Sequence, residues 1–372
     1  MPGFLPYGEE WRAQRKLTHM VLSPAAVKQY HRMQEDIAAS LAKGLLDAPE
    51  DFFTVVRMNA GKVVMAIAYG IGINIGERAL EIGNKAVAPG NHLCDFLPVL
   101  KYAQSWVPLQ CEAQEGKKVI TAHRMQPYEH VKREAAGTAL LSLMRDLMTS
   151  PPKNELVPKR RLQWIGSAMF GAGSEMTYAT VLSSIMAMTL FPDKQKFAQA
   201  EIDAVIGTGR LPTIEDRDSL PYVDAVVKET MRWQPAVHMD KHTSPCAGWL
   251  NNLKVQAFRG VLPKMTSTMA IISPKIFSWF RMFVACEPNA KYDPEDFIPE
   301  RFLDPTENIA NPATWAFGFG SRYGPPCPII HISRTGLSFG TCNIYPGRYL
   351  AENSIFLFIA TILTVFTMSP PK

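Results

Sequence analysis

The chain has 372 residues, of which 47% are hydrophobic and 20% are charged, as is ordinary for a soluble globular protein with a substantial core. Its formal charge is +5, but the Lys and Arg residues are scattered, so the sequence argues against a nucleic-acid partner. The six cysteines lie far apart and include no CxxC pair, which argues against a disulfide framework or a zinc site.

The first residues, MPGFLPYGEEWRAQRK, contain neither the apolar run of a signal peptide nor a membrane anchor. As the sequence stands, we therefore expect the protein in the cytoplasm. From the length of the chain, we expect a single domain over residues 1–372. Trp11 and Arg15 lie four residues apart, where an indole donor and a fixed cation on one helix face can bind a carboxylate. The alternative is a core Trp beside a surface Arg.

A long helix is predicted from about Leu162 to Leu190. It contains Gly171 and Gly173, each of which costs a helix about 1 kcal/mol relative to Ala, so the segment marks a kink or a close approach by a ligand.

A second helix is predicted from Pro221 to Trp233, with Ser219 as its cap and Pro221 in its first turn. Glu229 and Arg232 share one face of this helix and can form a charge-assisted pair. Taken alone, such a pair is most often solvated.

The remainder reads as short strands and loops from Pro235 to Pro299, then as loop as far as Arg322. A last helix begins near Pro346. Its apolar stretch Ile355–Phe366 is too short to span a membrane and predicts a buried core helix.

Several of these segments, taken in order, resemble the motifs of the cytochrome P450 family. Glu229 to Arg232 resembles ExxR, residues 299–302 read PERF, and residues 317–322 (FGFGSR) with residues 346–352 (PGRYLAE) resemble the haem-binding loop. Residues 211–233 look typical of fungal, microsomal-type members. The resemblance implies a mainly α fold with a small β portion and a haem b cofactor.

The resemblance also implies roles for single residues. Trp11 and Arg15 would contact a haem propionate, and Arg322 would lie in the haem-binding loop. The buried network behind the haem would consist of Glu229, Arg232 and Arg301.

Residues 172–175 (AGSE) resemble the motif of the helix on the oxygen side of the haem. The resemblance implies that Ala172 and Gly173 let this helix open over dioxygen and that Glu175 relays protons. The family places a Thr directly after the acid, whereas this chain has Met176 there and Thr177 one residue later. One helical step rotates a side chain by about 100°, so Thr177 does not simply replace that hydroxyl.

The haem-binding loop departs from the family pattern FxxGxRxCxG, because Gly324 stands where the cysteine ligand belongs. The second half of the motif resumes at Ile344, with Tyr345 at the cysteine position. Removing the 21 residues 323–343 would join the two halves.

Three interpretations of this insertion stay open. The segment is untranslated sequence carried into the predicted protein, or Cys342 or Cys327 has become the iron ligand, or Tyr345 ligates as a phenolate, as a Tyr does in catalase.

A second irregular region covers about residues 239–280, where only GVLPKM at 260–265 resembles the family. His238 and His242 are possible propionate contacts, although exposed loop histidines are the simpler interpretation. The family would place a membrane anchor, the first helices and most of the larger sheet before Gly8, so we expect its fold without the N-terminal part.

By resemblance, the full-length protein would be a monooxygenase of a lipophilic small molecule, using dioxygen and NADPH electrons delivered by a flavoprotein reductase. Full-length relatives would lie on the cytosolic face of the endoplasmic reticulum membrane and serve secondary metabolism or detoxification. The rival hypothesis is a non-catalytic remnant that binds no haem, or an incorrectly assembled gene product.

Overall fold

The computed structural model describes residues 8–70, 104, 107–134, 142–149, 157–236, 296–304, 306, 309, 311–317, 330–333, 336–339 and 346–370. Its contacts divide the chain into two compact units. The larger unit consists of Met1–Gly76, His123–Ala236 and Phe297–Lys372, and the smaller of Glu77–Ala122 and Val237–Asp296. The single-domain organisation expected from the sequence stays a prediction.

The described part is mostly helical, as the sequence predicts. The α-helices are α1 Glu9–Val21, α2 Pro24–Val27, α3 His31–Asp47, α4 Phe52–Tyr69, α5 Pro108–Glu134, α6 Leu143–Thr149, α7 Lys159–Leu190, α8 Pro192–Val205, α9 Pro221–Trp233, α10 Ala313–Ala316 and α11 Arg348–Val365. Short 3₁₀ turns occupy Lys28–Tyr30, Pro49–Asp51, Ile214–Ser219 and Pro299–Phe302.

Helix α7 packs closely along α4, and two glycines of α7 permit the approach. A Cβ at Gly173 would lie 2.9 Å from Cγ2 of Val64, and a Cβ at Gly166 would lie 2.3 Å from the hydroxyl of Tyr69. Both distances are shorter than non-bonded atoms tolerate, so a larger residue at either position would force its neighbour to shift. Helix α7 is continuous through this region. The neighbour that approaches Gly173 is Val64 of α4, and the expected kink or ligand approach stays a prediction.

Helix α11 forms the centre of the larger unit. Its residues from Ser354 to Leu363 are all buried, which confirms the predicted core helix. Gln34 of α3 binds α11 by donating hydrogen bonds to the carbonyl of Leu350 at 3.1 Å and to the hydroxyl of Ser354 at 2.7 Å.

Helix α9 has the bounds that the sequence predicts, but its predicted cap is wrong. Ser219 ends the preceding 3₁₀ turn, and Leu220 is the residue at the cap position. The first backbone N–H groups are satisfied by Glu201 of α8, whose carboxylate accepts from Tyr222 and Val223 at 2.9 Å each. A carboxylate suits this position because it meets two unpaired donors and the positive end of the helix dipole.

The described strands form one antiparallel hairpin of β1, Ile330–Ser333, and β2, Gly336–Phe339, in which Ile330 pairs with Phe339. This hairpin falls within the inserted segment 323–343. The strands predicted between Pro235 and Pro299 lie outside the described residues, apart from the last few positions.

Among the described residues, two helical stretches are long and apolar enough to cross a membrane by length and composition alone, Pro49–Tyr69 and Arg348–Val365. Their most apolar windows are 56% and 61% buried in the protein. Burial of this extent is typical of core helices of a folded domain.

Candidate functional site

A buried charge network connects α9 to the PERF turn at Pro299–Phe302. The guanidinium of Arg232 donates to both carboxylate oxygens of Glu229, with Nε 2.7 Å from Oε2 and Nη2 2.9 Å from Oε1. Nε of Arg301 lies 3.2 Å from Oε1 of Glu229, and the backbone N–H of Ile298 donates to the same oxygen at 2.8 Å. Glu229 is fully buried and the two arginines nearly so.

This arrangement compensates the cost of burying charge. One carboxylate faces two guanidinium groups. Bidentate pairing and the backbone N–H satisfy the Glu229 oxygens, which an isolated buried carboxylate could not achieve. The structure therefore brings together the three residues that the resemblance grouped, although their role behind a haem stays a prediction.

The PERF turn is also held from its outer side. Oε1 of Glu300 accepts hydrogen bonds from Nζ of Lys194 at 3.0 Å and from the hydroxyl of Tyr222 at 2.9 Å. Burial and the neighbouring Glu300 carboxylate raise the pKa of Tyr222. Helices α8 and α9 thereby fix the turn that carries Arg301.

Trp11 and Arg15 lie one turn apart on α1, as predicted. The Arg15 guanidinium carbon is 5.3 Å from the centroid of the Trp11 ring, a cation–π arrangement that holds both side chains in place. Burial lowers the pKa of Arg15. An ordered and partly desolvated cation beside a buried indole is well suited to bind a carboxylate.

Glu175 forms an ion pair across the α4–α7 interface. Nε and Nη2 of Arg57 donate to Oε1 of Glu175 at 3.1 and 3.0 Å. The Arg57 guanidinium also lies over the ring of Tyr178, 5.6 Å from its centroid. The predicted proton-relay residue is therefore held by a cation that the sequence did not indicate.

Thr177 occupies a different face of α7 from Glu175. Its hydroxyl is buried and donates to the carbonyl of Gly173 at 2.9 Å. Two residues along a helix correspond to a rotation of about 200°, so the structure does not bring the two predicted catalytic side chains together. Met176, at the position where the family has Thr, is 39% exposed.

An apolar cavity of about 30 Å³ lies between α7 and α11, beside Gly173 and Thr177. It reaches Gly347, immediately after Pro346 of the PGRYLAE segment, and Leu22 at the end of α1. A ligand pocket is usually about 300–1,000 Å³, so this cavity is too small to be one. Its remaining lining residues are Ala60, Val63, Val64, Met169, Leu350, Ala351 and Ser354.

The described residues fit a haem in one respect, since Trp11 and Arg15 place a buried indole and a cation side by side on α1, as a propionate site would need. The cavity holds no more than about two water molecules and does not accommodate a haem. Ala172 is half-buried on α7, next to Gly173.

The predicted haem-loop residues lie outside the described residues. These are Arg322, Cys327, Cys342 and Tyr345, and the same holds for the possible propionate contacts His238 and His242. Within the described ranges, no group of three or more His, Cys, Asp or Glu side chains could hold a metal ion.

Sequence reasoning missed Arg57 and Glu201. Neither belongs to a motif, and each acts on a residue far along the chain, Glu175 and Tyr222 respectively. Only knowledge of which helices pack together could have identified them.

The "Cytochrome P450" family model matches residues 3–267 of the chain. Among curated proteins, the chain is 32% identical to "Cytochrome P450 monooxygenase COX2" of Coprinopsis cinerea over 99% of this chain and 67% of that protein. It is also 32% identical to "Cytochrome P450 monooxygenase 226" of Postia placenta, over 98% of this chain and 65% of that protein. The chain thus spans about two thirds of the length of these relatives.

A zebrafish cytochrome P450, solved with abiraterone, is similar in structure, with a TM-score of 0.59 and 20% sequence identity. The similarity covers 98% of this chain and 76% of the zebrafish chain. It confirms the predicted fold class and carries no information on substrate.

Proposed function

Because the chain belongs to the cytochrome P450 family, we propose that its full-length form is a haem-dependent monooxygenase acting on a lipophilic small molecule. The observation that carries this proposal is the similarity to fungal cytochrome P450 monooxygenases over 98–99% of the chain. We further propose that NADPH supplies the electrons through a flavoprotein reductase. The setting is fungal secondary metabolism or detoxification, on the cytosolic face of the endoplasmic reticulum.

The proposed reaction inserts one oxygen atom into a C–H bond and reduces the other to water. Substrate, dioxygen, NADPH and one proton give hydroxylated product, NADP⁺ and water, and a bound haem supplies the iron at which dioxygen is reduced. The protein must therefore hold the haem, exclude bulk water and provide a proton at a defined atom.

Named residues would divide these tasks. Trp11 and Arg15 would bind a propionate, since they present an indole donor and an ordered cation on one face of α1. The network of Glu229, Arg232 and Arg301 would keep α9 and the PERF turn rigid behind the cofactor. Glu175, which is held by Arg57, would relay protons.

A second candidate function is a non-catalytic protein that binds no haem. The observation that favours it is the haem-binding loop, where Tyr345 stands at the position of the cysteine ligand and residues 323–343 interrupt the motif. A thiolate ligand is what favours cleavage of the O–O bond, so its loss would remove monooxygenase chemistry even if the fold persisted.

Absorption spectroscopy of the expressed chain separates the two candidates. A Soret band with a thiolate-type reduced carbon monoxide complex supports the monooxygenase, and its absence after haem supplementation supports the haem-free protein. If haem binds, Cys327→Ala and Cys342→Ala, made singly, identify a thiolate ligand, whereas a Tyr345 phenolate survives both changes.

A matched variant tests whether the interrupted motif and its missing cysteine account for a failure to bind haem. Deleting residues 323–343 and changing Tyr345→Cys rejoins the motif and restores its ligand. A thiolate-type spectrum is expected from this variant. If it binds no haem although it folds, the remaining described residues do not constitute a haem site. Sequencing the transcript across codons 322–345 shows whether the segment is translated.

A further inference from the structure

The outer face of α8 carries an exposed aromatic side chain. Phe197 is 58% exposed, and its ring lies beside that of Tyr222 of α9, with the two ring centroids 6.0 Å apart. Tyr222 therefore limits the positions that the ring can take but leaves most of it in water. Aromatic rings are enriched at protein interfaces, because burying them there removes a large apolar surface from water.

Small residues follow Phe197 on the same face of α8. Ala200 and Ala204 lie three and seven residues further along and are both exposed. Residues at these spacings line up along a helix, so the three side chains form one apolar strip. The distance between two packed helices depends on the side chains at their contact, so the alanines leave room for a large side chain from a second helix.

Two charged residues border this apolar strip on one edge. Lys196 and Asp203 are exposed and lie seven residues apart, which is about two helical turns, so they share one edge of α8. Their separation along the helix is about 10.5 Å, too far for them to pair with each other. Within the part of the chain that the structure describes, neither is bound to another side chain. Asp193, one turn earlier on this face, is compensated by Lys194 at 3.5 Å.

The two charges are arranged so that the edge is complementary to itself. In a symmetric pair of antiparallel helices, a two-fold axis passes through the midpoint and brings each edge of one helix against the same edge of the other. With the midpoint between Gln199 and Ala200, Lys196 and Asp203 are equally far from it in opposite directions. Lys196 of each copy then meets Asp203 of the other copy, which gives two ion pairs.

The same arrangement also covers the aromatic ring. On the opposite edge of α8, the level of Phe197 in one copy falls halfway between Ala200 and Ala204 of the second copy. The ring therefore fits between two methyl groups at the ordinary interaxial distance of about 8–10 Å. The charged edge and the apolar strip thus specify the same register of the two helices.

We propose that the outer face of α8 is a self-association surface, at which two copies of this chain pair as antiparallel helices through Lys196, Phe197 and Asp203. Because α8 has only 14 residues, the contact is smaller than the roughly 1,200–2,000 Å² of stable complexes. The association is accordingly weak, and the dilute chain is monomeric. It depends neither on the haem-binding loop nor on the proposed monooxygenase function.

Sedimentation velocity of the expressed chain, from micromolar to submillimolar concentration, measures the association constant. A reversible dimer is expected, and high salt should weaken it because the ion pairs are near solvent. Lys196→Asp and Asp203→Lys should each lower the association constant about tenfold or more, since like charges then face each other twice. Lys43→Asp is the control, because Lys43 is an exposed lysine of α3, and it should leave the constant nearly unchanged.

Mixing the two charge variants tests the pairing directly. A chain with Lys196→Asp carries acids at both positions and a chain with Asp203→Lys carries bases at both, so each repels its own copy and attracts the other. The mixture should therefore dimerise about as strongly as the unchanged chain, and so should the double variant in which the two charges are exchanged. Full association of either single variant, or no association in a mixture whose helix content is intact by circular dichroism, would overturn the proposal.

The apolar strip is tested separately. Phe197→Ala should lower the association constant about tenfold, because the ring is the largest side chain buried by the contact. Leu46→Ala is the control, since Leu46 is 61% exposed on α3 and should not affect association. An unchanged constant in Phe197→Ala would contradict the proposed surface, as would an unchanged chain that stays monomeric at every concentration.

Discussion

Glu229 and Arg301 lie far apart in the sequence and meet inside the protein, with Oε1 of Glu229 3.2 Å from Nε of Arg301. The same carboxylate also binds Arg232, so its removal takes one ion-pair partner from each of two buried guanidinium groups.

Glu229→Gln should therefore lower the free energy of unfolding by about 3–5 kcal/mol, the usual effect of breaking a buried ion pair. Urea denaturation followed by circular dichroism measures it. Glu215→Gln is the control, since this exposed carboxylate should change stability by less than about 0.5 kcal/mol. Equal midpoints for the two variants would show that the network contributes no more than a surface charge.

Glu201 gives a second prediction, because its carboxylate caps α9 from a neighbouring helix. Glu201→Ala should cost about 1–2 kcal/mol, since two backbone N–H groups lose their acceptor at the positive end of the helix dipole. Asp203→Asn, on the exposed side of the same α8, should have little effect. Thermal unfolding compares the two, and a smaller loss for Glu201→Ala than for Asp203→Asn would refute the capping role.

The contact between Gly166 and Tyr69 gives a third prediction. Gly166→Ala should destabilise the protein by about 1–3 kcal/mol, because the new methyl group overlaps the phenol and forces α4 away from α7. Gly209→Ala should be nearly neutral, since no atom lies within 4 Å of its added Cβ. Adding Tyr69→Phe to Gly166→Ala should recover part of the loss. Full retention of stability in Gly166→Ala alone would contradict the close packing.

The environment of Asp216 leads us to expect that the stability of the protein depends on pH. Hydrogen bonds from Arg210 lower the pKa of this carboxyl below its usual range, and Thr213 contributes to the same effect. A lowered folded-state pKa stabilises the protein above the ordinary aspartate value of about 3.9, and this stabilisation is lost as the pH falls below it.

Asp216→Asn should consequently be less stable than the unchanged chain at pH 7, and the difference should shrink towards pH 2.5. Urea midpoints across this range test the sign. A difference that stays constant or grows on acidification would contradict the assigned direction.

Local signals in the sequence predicted where helices lie better than they predicted which side chains of other helices cap or hold them. Helix α9 has its predicted bounds because Pro221 suits a first turn, and α7 begins three residues before the predicted Leu162 because Lys159 to Arg161 continue the helix after Pro158. The cap was misassigned because Thr213 and Asp216 form a capping box that commits Ser219 to the preceding turn. A local pattern cannot show that a carboxylate from another helix takes the cap's place.

The candidate site also contains residues that motifs predict and residues that only packing reveals. The order of the motifs predicted that Glu229, Arg232 and Arg301 belong together, and the structure places them in one network. The partner of Glu175 could not be predicted, because it depends on how closely α4 and α7 approach and hence on glycines whose role is visible only in packing.

The described segments before and after residues 323–343 are held by contacts of their own. Helix α11 begins at Arg348 and is held through Gln34 and a buried core, and Arg301 is held by Glu229. Doubling the length of a flexible loop between fixed ends costs only about 0.6 kcal/mol. The contacts that hold these described segments therefore place little constraint on which residues occupy the stretch between Arg301 and Arg348.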